Sequence, residues 1–68
     1  MNAKTQILAA AVLGTAAFKK GIACAPALDD DLRVLLAGRR IGETPVGEAS
    51  SVKIMSTWIE NWIMASLA

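Results

Sequence analysis

Apolar positions along this chain recur at helical spacing, and no alternating run supports a strand. The pattern is strongest in residues 51 to 68. On a wheel of about 100° per residue, Val52, Ile54, Met55, Trp58, Ile59, Trp62, Ile63, Ala65 and Leu67 sweep an arc of roughly 220°. A helix resting on one neighbour needs about half of that. Trp58 and Trp62, both tryptophans of the chain, stand one helical turn apart on the same side. Ser50 or Ser51 supplies the N-cap, and the pattern predicts a helix over about 50–66.

An earlier helix is predicted over about 2–20. Its segment is rich in alanine, the best helix former. Asn2 is the candidate N-cap, and Gly21 ends the helix after Lys19 and Lys20, at the negative end of the helix dipole. The main apolar stripe is Ile7, Ala11, Gly14 and Phe18, with Leu8, Val12 and Thr15 beside it. Ala10 and Gly14 are small residues one turn apart, a spacing that admits close approach of another backbone.

Between these two, a short helix is predicted over about 29–37. Asp29, Asp30 and Asp31 cluster where the dipole is positive, and Gly38 stops the helix ahead of Arg39 and Arg40. Leu28, Leu32, Leu35 and Leu36 share one face. Ile22 to Leu28 is a connector, with Pro26 biasing Ala25 away from helix. Residues 41 to 49 read as a loop. The expected fold class is all-α, a single small three-helix domain spanning 1–68, with the first and third helices as the main packed pair.

Size changes the picture. A chain of 68 residues buries only about 60% of its unfolded surface and is marginal alone. Cys24 is the sole cysteine and there is no histidine. An internal disulfide, a structural zinc site and a histidine-based triad are therefore excluded. No cofactor, metal or small-molecule substrate is expected, and the chain is not read as an enzyme. Completion by self-association, as a homodimer, or by a protein partner is the remaining route to stability.

The formal net charge of +1 gives no long-range field, so phosphate-backbone binding has little to draw on. Lys4, the run from Ile7 to Phe18 and Ala23-Cys24-Ala25 have the outline of a secretory leader. Lys19 and Lys20 interrupt that outline and Pro26 would follow the cut, so a cytoplasmic protein is expected. Twelve apolar residues reach only about 18 Å as a helix against the roughly 30 Å of hydrocarbon, which disfavours a membrane span.

The aspartate run is read as helix-start chemistry, because consecutive helical residues point apart and do not converge on an ion. Cys24 is expected to be a small buried hydrophobe. Gly38-Arg39-Arg40-Ile41-Gly42 lacks the glycines and preceding strand of a phosphate loop. Arg39 and Arg40 complete a helix end, and the same guanidiniums could grip a phosphate or an acidic partner. The residues expected to bind a partner are Trp58, Trp62, Met55 and Ile59, tryptophan being enriched at interface hot spots, with Arg39 and Arg40 orienting the contact.

Phe18-Lys19-Lys20-Gly21-Ile22-Ala23, a following proline, and Trp58-Ile59-Glu60-Asn61-Trp62-Ile63-Met64-Ala65 resemble ribosome modulation factor. That family shows an aromatic-x-x-Gly-Ile-Ala stretch and a Trp-x-x-Gly-Trp-x-x-Ala ending. Asn61 stands at the glycine of the second motif. The resemblance implies a small helical protein that binds the ribosome and silences it. The middle, Pro26 to Asp29 and Gly38 to Ser50, resembles small proteins of bacteria and their phages that also end in a Trp-rich helix.

The expected function is a non-catalytic, protein-binding modulator or inhibitor acting through the Trp-rich helix, with a phage origin in view. A ribosome- or RNA-binding modulator is the alternative that the resemblance implies. A membrane-active peptide using the first helix is a third.

Overall fold

A computed structural model describes residues 2–36 and 47–68. These form three α-helices: α1 (Ala3–Lys19), α2 (Asp30–Leu35) and α3 (Ser51–Leu67), with a single 3-10 turn at Pro26–Leu28. Among the described residues there is no strand, and the all-α reading stands. Ala37 to Arg40, where the second helix was expected to stop, lie outside the described residues.

Each helix begins on a side-chain cap. The Asn2 carboxamide oxygen accepts from the Thr5 N–H at 2.9 Å, and Ser50 Oγ accepts from the Lys53 N–H at 3.1 Å. Asp29 Oδ1 accepts from the N–H groups of Asp31 at 3.0 Å and Leu32 at 3.4 Å. These oxygens occupy donors that the first helical turn leaves orphaned. Gly21 ends α1 in the left-handed region, at φ +80°. There the Gly21 N–H donates to the Phe18 carbonyl at 3.0 Å and the Ile22 N–H to that of Ala17 at 2.9 Å. This paired closure leads the chain away from the helix axis.

α1 and α3 lie side by side and run in the same direction. The Ala3 N–H donates to the Gly47 carbonyl at 3.0 Å, Gly14 meets the backbone of Trp58, and the Phe18 ring meets that of Trp62. In each of these three pairs the partners are 44 positions apart. The chain therefore has to travel back along the pair before α3 begins. α2 starts this return, with Asp31 near Lys20 and Val34 and Leu35 facing the same hollow as Gln6 and Glu48.

Gly14 sets the crossing of α1 and α3. A Cβ at that position would stand 3.0 Å from the Trp58 carbonyl carbon and collide with its oxygen. The spacing of Ala10 and Gly14 thus marks tight helix packing. It also turns α1 away from the orientation that its larger side chains suggest. The buried face is Gln6, Ala10, Gly14 and Ala17, whereas Leu8 and Val12 are 59% and 68% exposed. Two backbones this close leave no room between them for leucine or valine.

The core consists of Ala10, Ala17, Leu32, Ala49, Ile54 and Trp58. Of the leucines expected to share the inner face of α2, Leu32 is fully buried and Leu28 is largely exposed. Gln6, itself buried, joins α1 to the approach of α3. Its Oε1 accepts from the Ala49 N–H at 2.8 Å, and its Nε2 donates to Glu48 Oε1 at 2.6 Å.

Candidate interaction surface

The two tryptophans of α3 face the connector between α1 and α2. Trp58 has no solvent exposure, and its indole N–H donates to Asp29 Oδ2 at 2.7 Å. The two oxygens of Asp29 are thereby divided, one capping α2 and the other holding the indole. Trp62 is half-buried. Its indole N–H donates to the Ile22 carbonyl at 2.8 Å, and its ring stands edge-on to Phe18 with centroids 5.3 Å apart. The carbonyl of Ile22 is presented at this point by the left-handed turn at Gly21.

This arrangement corrects the expected role of Trp58. A fully enclosed side chain offers nothing to a partner, so in this fold Trp58 is a core residue. The wide apolar arc was set against a single neighbouring helix, and the connector contributes a further acceptor and cover. Met55 and Ile59 are half-buried, and Ile59 packs against the core. Trp62, Met55 and Ile59 form the edge where the core meets the surface. Arg39 and Arg40 lie outside the described residues.

The side chains that do face solvent are others. On α3, Val52 is 58% exposed, Ile63 45%, Met64 67% and Leu67 81%. Val52, Ile63 and Leu67 belong to the wide apolar arc of the sequence. On α1, Leu8 and Val12 project outward. Beside Val12, an open hollow of about 390 Å³ is lined by Ala11, Thr15, Ala16 and Lys19, with Asn61 from α3. The charged residues of α1 are Lys4 and Lys19, both cationic. A second hollow of about 490 Å³ lies between Leu13, Val34 and Leu35, with Gln6, Asp31 and Glu48 at its rim.

The exposed ion pairs, Lys20 to Asp31 at 3.4 Å and Arg33 to Asp30 at 3.6 Å, contribute little in water. Cys24 is exposed, which corrects the expectation that it packs as a small hydrophobe. Among the described residues, no three His, Cys, Asp or Glu side chains gather where a metal ion could sit. No helix among them is long and apolar enough to cross a membrane. Compared with protein-family models, with curated proteins and with solved structures, the chain matches none.

Proposed function

We propose that this protein is a non-catalytic binding module that modulates or inhibits a protein partner, or pairs with its own copy, through the outer face of α3. The observation that carries the reading is the exposure of Ile63, Met64 and Leu67 on the last two turns of that helix. Single exposed apolar residues are ordinary, whereas neighbouring ones on so short a chain mark a contact site. Trp62 and Ile59 border this face and give it a rigid edge. A cytoplasmic setting belongs to this proposal, and a bacterial regulator and a phage-encoded inhibitor fit it alike.

The test combines light scattering over a range of protein concentrations with capture of cellular proteins on the immobilised chain. Changing Ile63→Asp together with Leu67→Asp is expected to abolish self-association or capture and to leave the helical circular-dichroism signal in place. A chain that stays monomeric and captures nothing defeats the reading. Capture that survives these changes but is lost on raising the salt, or with Lys19→Glu and Lys20→Glu, supports ribosome or RNA binding instead.

A further inference from the structure

The segment from Ile22 to Leu36 lies across both tryptophans. Its two ends of contact are the Ile22 carbonyl on Trp62 and the Asp29 carboxylate on Trp58. Neither indole N–H is held by α1. Within this segment, Asp29 and Leu32 are the two buried residues, and Ile22, Leu35 and Leu36 rest half-buried against the core. α2 has six residues, too short to persist as a helix without packing. Its two ion pairs are exposed. At the start of the segment, Gly21 turns the chain at φ +80° with nothing within 4 Å of a would-be Cβ.

The α1–α3 pair is held differently. It closes backbone to backbone at Gly14 and holds Ala10, Ala17 and Ile54 in the core. Segments with few buried apolar contacts open at lower free energy than the body that they rest on.

We infer that Ile22–Leu36 is a strap that opens as a unit while α1 and α3 stay paired, and that its opening uncovers the indole N–H groups of Trp58 and Trp62. The strap is a property of the fold and does not depend on whether a partner binds the outer face of α3. Its consequence is that exposure of Trp58, absent in the closed form, is controlled by α2.

Native-state hydrogen exchange followed by NMR on the whole chain tests this. The amides of Arg33 and Leu36, which donate within α2, are expected to exchange at least about tenfold faster than those in the middle of α1 and α3. The Trp58 indole N–H is expected to exchange with α2, although the backbone amide of Trp58 exchanges with α3. In Asp29→Ala, protection in α2 is expected to fall by a further two- to thirtyfold or so, with α1 and α3 little changed. A single common rate for all three helices overturns the inference. So does a Trp58 indole that follows α3, or an Asp29→Ala protein in which all three helices lose protection equally. If Asp29→Ala does not fold, the rates in the unaltered chain decide.

Discussion

Asp29 Oδ2 accepts the indole N–H of Trp58 at 2.7 Å, and Asp29 Oδ1 caps α2. One carboxylate therefore fastens two helices that are far apart in sequence. Asp29→Ala removes a cap, at about 1 kcal/mol, and strands a buried indole donor, at about 1–3 kcal/mol. Trp58→Phe removes the donor and retains most of the apolar bulk. In a double-mutant cycle measured by urea unfolding, the two changes are expected to couple by at least about 1 kcal/mol. Simple additivity would show that the bond contributes nothing to stability.

Gly14 and Gly21 are required for opposite reasons. Gly14→Ala gains roughly 1 kcal/mol in helix propensity but drives a methyl group into the Trp58 carbonyl. Overpacking of this kind costs about 1–3 kcal/mol, and here it meets backbone, which yields least. A net fall in thermal midpoint is expected. Gly21→Ala meets no atom within 4 Å, so its cost of about 1–2 kcal/mol is purely conformational. Gly21→Asn is expected to recover part of that loss, because asparagine tolerates the left-handed region. Gly14→Asn should recover none. Equal behaviour of the two sites in thermal melts would refute the distinction.

Ser51 is buried at the start of α3 and its hydroxyl has no hydrogen-bond partner among the described residues. Ser51→Ala removes an unsatisfied polar atom and improves helix propensity. The variant is expected to be as stable as the parent or up to about 1 kcal/mol more so. A clear drop in the urea midpoint would mean that the hydroxyl is engaged in solution.

Cys24 is exposed, so an aromatic disulfide reagent is expected to titrate one thiol per chain without denaturant, at nearly the rate seen in denaturant. Slow labelling that speeds up on unfolding would show that the connector covers the thiol.

The sequence disclosed what is local. Asn2, Ser50 and Asp29 are caps whose chemistry acts within one helical turn, and Gly21 ends α1 for a reason confined to its own backbone. Placement of the three helices therefore agreed to within a residue or two where it is described. The orientation of α1 was not legible, because large apolar residues dominate a helical wheel. The packing is set instead by Ala10, Gly14 and Ala17, whose contribution is the room that they leave. The burial of Trp58 was not legible for a related reason. Its burial depends on Asp29, whose role as a cap explained it fully and hid its second oxygen.

The parallel course of α1 and α3 gives this nearly neutral molecule an electrical direction. Each helix has 17 residues, and at about 3.5 D per peptide unit the two together amount to roughly 120 D along one axis. The Asn2 and Ser50 ends share the positive pole, and the Lys19 and Leu67 ends the negative one. Lys19 and Lys20 stand at that negative end and Glu48 beside the positive one, so the formal charges offset part of what the two backbones add together.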